Sequence, residues 1–94
     1  MRTLAWSTAF VRAFKRKSRR QPELQARMES TLRQLAEDPF HPTLHSHKLK
    51  GELADVWACM VDYDNRILFE FVENPESGEE EIHLLTVGAH DEVY

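Results

Sequence analysis

One cysteine in 94 residues, Cys59, leaves the chain no partner for an internal disulfide. Its strand-like flanks predict a buried, inert thiol rather than a reactive one. No apolar run approaches the roughly 18 residues that span a bilayer, so no membrane segment is expected. The opening Met1-Arg2-Thr3-Leu4-Ala5-Trp6 has one basic residue, no apolar h-region and no small-residue cleavage site, so no signal peptide is expected. Internal repeats and low-complexity segments are missing as well. Together these absences predict a cytoplasmic protein of one domain, residues 1–94.

Hydrophobic residues make up 41% and charged residues 30%, which is globular and too apolar for a disordered chain. The net charge of −4 hides a division. Residues 1–36 hold nine basic side chains against two acidic ones, a net of +7, while residues 37–94 hold three against fourteen, a net of −11. A division of this kind suggests a basic face for a polyanion, although a solvated helix surface gives the same composition.

Leu4 and Trp6 lie on one face of a short β-capable segment, and Ser7 can cap the helix that follows. Phe10, Val11 and Phe14, with Ala9 and Ala13, form an apolar stripe at helical spacing. That helix runs into Lys15-Arg16-Lys17-Ser18-Arg19-Arg20, where the dipole favours positive charge. Pro22 and Glu23 read as the start of a second helix. Its stripe is Leu24, Met28, Leu32 and Leu35, and Asp38-Pro39 ends it. The short link between the helices predicts an antiparallel hairpin. Three strand-like runs follow at 56–61, 66–72 and 82–87, with a turn at 62–65 and a polar loop at 73–81. The expected fold is α+β in the order β-α-α-β-β-β, the helical hairpin packed on a small, mainly antiparallel sheet.

His41-x3-His45-x-His47 sits beside Pro42 with no cysteine near it, and its spacing is not that of a zinc site. No metal or other cofactor is expected. His83 alternates along the last run and reads as a satisfied sheet histidine. The segment His47-Lys48-Leu49-Lys50-Gly51 is richer, with an imidazole and two cations just before the sheet. Asp64 and Arg66 flank the turn, and Gly88 permits a sharp exit toward His90 and Tyr94. Arg66, at the start of a middle strand, is expected to meet both the His47 segment and the C-terminal tail. Imidazole, guanidinium, carboxylate and phenol on one surface are the groups that metal-independent RNA cleavage uses. The 2′-hydroxyl attacks the adjacent phosphate, and histidine is suited to moving protons near neutral pH. Arginine grips phosphate oxygens, and an aromatic ring stacks on an unpaired base. The same residues also fit ordinary polar strand ends and a chain terminus.

The chain resembles the RelE/ParE superfamily of type II toxin–antitoxin toxins, and within it the RelE/YafQ-like messenger-RNA interferases. The resemblance rests on the basic helical hairpin, His-Lys-Leu-Lys-Gly at 47–51, Asp-Asn-Arg-Ile-Leu-Phe at 64–69 and Val-Gly-Ala-His-Asp-Glu-Val-Tyr at 87–94. It implies a toxin that cuts messenger RNA in the ribosomal A site without a metal and is held off by an antitoxin encoded beside it. It assigns catalytic positions to His47, Asp64, His90 and Tyr94, and phosphate binding to Arg66. Lys48 and Lys50 lie where RelE-like members place cations. Arg12, Lys15, Arg16, Lys17, Arg19 and Arg20 are expected to face ribosomal RNA. Met60 stands where YafQ-like toxins carry a further histidine, and a thioether cannot transfer protons. The ParE branch, which binds gyrase without cutting RNA, and a degenerate member that only binds its antitoxin are the alternatives.

Overall fold

Ser7 ends a strand and starts a helix. In the computed structural model, which describes residues 1–53 and 55–90, its Oγ accepts from the Phe10 N–H at 3.0 Å and donates to the Leu85 carbonyl at 3.3 Å. One hydroxyl thus caps helix α1 (Thr8–Ser18) and ties it to the sheet. Lys15, Arg16 and Lys17 occupy the last turn of α1, as the dipole favours. Arg20, at φ 58°, turns the chain into α2 (Pro22–Glu37), which begins on Pro22. It ends at Asp38, whose N–H closes on the Gln34 carbonyl at 2.8 Å.

Five strands form one sheet: β1 (Leu4–Trp6), β2 (His47–Lys48), β3 (Trp57–Met60), β4 (Asn65–Glu73) and β5 (Glu80–Ala89). Their order is β1-β5-β4-β3-β2, with β1 parallel to β5 and every other pair antiparallel. Strand alternation sends Cys59, Ile67, Phe69, Ile82, Leu84 and Val87 to one face. They meet Phe10 and Ala13 of α1 and Met28, Leu32 and Leu35 of α2, all buried, and these residues form the core. Leu84 and Val87 share that face because the β4–β5 register slips. Leu68 faces Thr86 while Phe69 faces Leu84, so Leu85 is an extra residue that resets the alternation.

The expected element order holds, with two refinements. The strands take in both ends of the polar stretch at 73–81: Glu73 faces Glu80 and Val72 faces Glu81, leaving the loop as a turn at 74–79. Asn74 closes that turn, accepting from the Glu76 and Ser77 N–H groups and donating to Glu81 at 3.0 Å. Polar residues pair well here because neither side chain set needs burial. The second refinement is β2, a two-residue edge strand too short to leave an alternating pattern in the sequence.

Cys59 is fully buried as expected, and burial pushes its thiol up from 9.0 to about 12, against the smaller opposing pull of the Ile67 backbone and Arg66. The thiol of the unfolded chain ionises first. Stability from this group is therefore full below about pH 9 and is lost as pH rises toward 12. Thiol-reactive dye at pH 8 is expected to label Cys59 only at the rate of unfolding. Rapid labelling of the native chain would show that the site is open.

Candidate active site

The sheet face away from the helices collects the polar residues that alternation turns outward. Arg66 sits directly between Met60 of β3 and Gly88 of β5. One step along, Ala58, Leu68 and Thr86 form a small, largely apolar row that ends on His47 of β2. No described helix covers this face.

The β3–β4 turn shapes one end of it. Asp62 is the turn-former: its Oδ1 accepts from the Asp64 N–H at 3.0 Å, the Asn65 N–H at 2.8 Å and the Asn65 side chain at 3.1 Å. Arg66 then clamps the turn from the strand. Its Nη1 donates to the carbonyls of Asp62, Tyr63 and Asn65 at 2.6, 3.0 and 3.1 Å. The carbonyl of Asp64 accepts from the His90 N–H at 3.1 Å, which draws the end of β5 to the same place. The result is a depression of about 420 Å³ lined by Tyr63, Asp64, Arg66, Ala89 and His90.

Three sequence-predicted residues, Asp64, Arg66 and His90, therefore converge. His47 does not join them directly. It shares the face, but β3 lies between it and β4, which puts it roughly 12 Å from Arg66 by strand spacing and rise. The expected meeting of Arg66 with the His47 segment is corrected on this point: the neighbours of β4 are β3 and β5, and β2 is one strand further out. His47 Nδ1 lies 3.1 Å from the His45 carbonyl, which can only accept, so Nδ1 carries the proton and Nε2 the lone pair in the neutral ring. Lys48 pairs with Trp57 and alternates to the other face from His47, while Lys50 is exposed beyond the strand. Tyr94 lies outside the described residues.

The other histidines have structural partners. His41 caps a single 3₁₀ turn through Nδ1, 3.2 Å from the Thr43 N–H. His45 takes the left-handed conformation that ends that turn. His83 lies 3.3 Å from Glu81, in keeping with a satisfied sheet histidine. Among the described residues no three His, Cys, Asp or Glu side chains stand close enough to hold a metal ion.

Two features were not read from the sequence. Tyr63 is 86% exposed on the rim of the depression. An aromatic residue in an otherwise polar turn has no burial to gain, and that was the available signal. The other is position: Arg20 and Arg27 share a hollow of about 460 Å³ with Asp62, so the basic hairpin abuts the β3–β4 turn. Arg12, Lys15, Arg16 and Arg19 are exposed on the same helical layer, with Lys17 half-buried.

A two-helix layer on a five-stranded mixed sheet is the fold of the YafQ and YoeB toxins. Residues 2–94 match the family described as bacterial toxin of type II toxin–antitoxin system, YafQ. The chain belongs to that family. YafQ from Escherichia coli strain BL21(DE3) is 11% identical, with 100% of this chain and 99% of that one covered and a TM-score of 0.78. A YoeB/ParE toxin from Agrobacterium tumefaciens is 16% identical over 94% of this chain and 98% of that one, with a TM-score of 0.77. The E. coli DinJ–YafQ complex gives 12% identity over 100% and 99% of the two chains, with a TM-score of 0.77. At such identities the likeness is one of fold. No curated protein matches the chain.

The two turn aspartates are expected to separate cleanly. Asp62→Ala removes three hydrogen bonds and is expected to destabilise by about 1–2 kcal/mol, whereas Asp64→Ala stays within about 0.5 kcal/mol, both read by urea denaturation. Equal losses would mean that Asp64 also builds the turn. Arg66→Ala is expected to cost about 1–2 kcal/mol as well, because its guanidinium clamps three carbonyls.

Proposed function

We propose that this chain is an endoribonuclease toxin that cuts messenger RNA on the ribosome by attack of a 2′-hydroxyl on its own phosphodiester, with no metal. The observation that carries the proposal is the single depression in which Arg66, His90, Asp64 and Tyr63 meet. In the reaction the 2′-oxygen bonds to phosphorus as the bond to the 5′-oxygen breaks. A base takes the 2′-proton and an acid supplies one to the leaving oxygen, giving a 2′,3′-cyclic phosphate and a 5′-hydroxyl.

Arg66 is the group for the charged phosphorane. Its Nη1 is committed to the turn, which holds the planar guanidinium in place and leaves Nε and Nη2 as the donors assigned to the phosphate. His90, in the same depression, is the proton-transfer group nearest that phosphate. His47, one strand further out on the same face, is assigned the second proton transfer, through Nε2, once RNA lies across the face. Asp64 orients a proposed imidazolium partner, and Tyr63 or Tyr94 stacks a base. The basic residues Arg12, Lys15, Arg16, Lys17, Arg19 and Arg20, with Lys48 and Lys50 at the far edge, bind RNA phosphates of the ribosome and the messenger. The E. coli DinJ–YafQ structure is that of a toxin–antitoxin complex, and we assign this chain a cognate antitoxin on the same grounds.

Met60, directly opposite Arg66, favours one other reading. A thioether in the first place beside the phosphate site supplies no proton, as a degenerate toxin that only binds its antitoxin would have it. Inducing wild type and His90→Ala in a bacterial host, with messenger 5′ ends mapped by primer extension, decides between them. In-frame cleavage ends with wild type alone are the expected result. Growth arrest without new ends would give the function to a gyrase-type toxin, and no arrest would give it to the degenerate reading.

Neutralising Lys15, Arg16, Lys17 and Arg19 together is expected to reduce cosedimentation with ribosomes and flatten its salt dependence by up to about 3 log units per log unit of salt. Unchanged cosedimentation would place the ribosomal contact elsewhere.

A further inference from the structure

Strand β2 is short, and its brevity leaves a gap in the ladder. It pairs His47 with Ala58 and Lys48 with Trp57, and the Leu49 N–H extends the pairing to the Val56 carbonyl at 2.8 Å. Backbone groups alternate along an antiparallel strand. Val56, Ala58 and Met60 therefore turn theirs to the β2 side, while the Val61 N–H bonds the Asn65 carbonyl on the β4 side at 3.0 Å. Met60 meets no strand there. His45, at φ 48°, turns the chain away before β2 begins, and no described backbone group bonds the Met60 N–H or carbonyl on that edge.

A pocket of about 260 Å³ opens at this gap, between the end of β3, helix α2 and the 3₁₀ turn at Pro42–Leu44. It falls below the roughly 300 Å³ at which sites for drug-sized ligands begin, so it has room for one heterocycle rather than a chain. Its polar lining is of two kinds. The Arg27 guanidinium, the Ser30 hydroxyl and the Gln34 amide make no side-chain hydrogen bond or ion pair among the described residues, and all three offer donors. Arg27 also borders the hollow that holds Glu23 and Asp62, yet pairs with neither. Thr31 and Thr43 offer acceptors. Thr31 Oγ1 spends its proton on the Arg27 carbonyl at 2.8 Å. His41 Nδ1 accepts from the Thr43 N–H, so Thr43 Oγ1, 2.8 Å from the same nitrogen, donates to it as well. Both hydroxyls are left with lone pairs alone.

This mixture selects an occupant. A free phosphate or carboxylate carries only acceptors and is repelled by the threonine lone pairs, and an apolar group leaves the donors unpaired. A nucleobase edge carries donors and acceptors together, and guanine presents O6 and N7 side by side to an arginine fork. Unpaired RNA bases are read in this way, by hydrogen bonds to their exposed edges. The pocket also lies where RNA would pass. Met60, which lines it, is the cross-strand neighbour of Arg66, the group assigned to the scissile phosphate, and neighbouring strands are only about 4.8 Å apart. We infer that the pocket at the free edge of β3 binds an unpaired base of the RNA close to the cut, and that Arg27 makes guanine the favoured base. This rests on the reading of the chain as an RNA-cleaving toxin.

Titrating the full chain with single nucleotides tests the pocket apart from any cleavage. The Gln34 side-chain amide and the Arg27 Nε–H are followed by NMR. Guanosine 5′-monophosphate is expected to shift both signals saturably and to bind about tenfold more tightly than cytidine 5′-monophosphate, while inorganic phosphate shifts neither. The same shifts with inorganic phosphate would make this an anion site, and no shift with guanosine 5′-monophosphate would show that it takes no base; either overturns the inference. In the bacterial host, messenger ends made by wild type are expected to share a guanine at one fixed distance from the cut. Arg27→Ala, at an exposed position, is expected to lower that enrichment about tenfold. Unchanged enrichment overturns the role of Arg27. If wild type makes no ends at all, the proposed function fails, and the titration still decides whether the pocket takes a base.

Discussion

The parallel pairing of β1 with β5 is the constraint on which the rest of the molecule hangs. Parallel neighbours cannot be joined by a tight turn, so the chain must cross from one end of the sheet to the other between them. It uses the α1–α2 hairpin to begin that crossing, and Ser7 fixes the departure by bonding Phe10 on one side and Leu85 on the other. Both helices then pack on one face, where Phe10 and Met28 are buried against Phe69 and Leu84. The remaining strands return as an antiparallel set. The opposite face keeps its polar side chains, and the depression forms there, where no described helix lies over the sheet.

The same topology sorts the charge. β4 runs from Asn65 beside the depression to Glu73 at the acidic hairpin, about 27 Å away at the usual rise per residue. Most of the excess carboxylate, at Glu73, Glu76, Glu79, Glu80 and Glu81, is therefore more than two Debye lengths from Arg66 at ordinary ionic strength. Arg20 and Arg27, by contrast, share a hollow with Asp62 at the near end. A chain with net charge −4 thus keeps its acidic hairpin and its basic hairpin apart, and the overall acidity has little bearing on the field at the depression.

Local chemistry was legible wherever it is written in adjacent residues. Ser7 as a cap, Pro22 as a helix start, Asp38-Pro39 as a stop and the Leu24-Met28-Leu32-Leu35 stripe all follow from rules that span a few positions. Cys59 was readable as buried because its strand neighbours left it no other place. What escaped depends on partners far along the chain. Nothing near Leu85 announces an extra residue, since the register slip is set by which residues of β4 face it. Two residues at 47–48 cannot display a period of two. In the turn, Asp62 and Asp64 are equivalent by composition, and only the fold shows that Asp62 builds the turn while Asp64 stays exposed with its carbonyl on His90. The distance from His47 to Arg66 was likewise out of reach, because it depends on the sheet order.

Arg66 joins the structural and the chemical accounts. Three carbonyls on one guanidinium nitrogen are a strong acceptor set, and they draw the side chain into a single orientation in the unliganded chain. The conformational entropy of ordering a long side chain, up to about 2 kcal/mol, is then spent in folding rather than in binding. The carbonyls that hold it also belong to the turn that places Tyr63 and Asp64, so one hydrogen-bonded unit fixes the cation and the backbone positions of the phenol and the carboxylate. His90 is attached to that unit through the Asp64 carbonyl. A turn of four residues therefore sets the geometry of the whole depression. This explains why Asp62, which does not line the depression, serves the turn, and why Arg66, which does, is also bound into the fold.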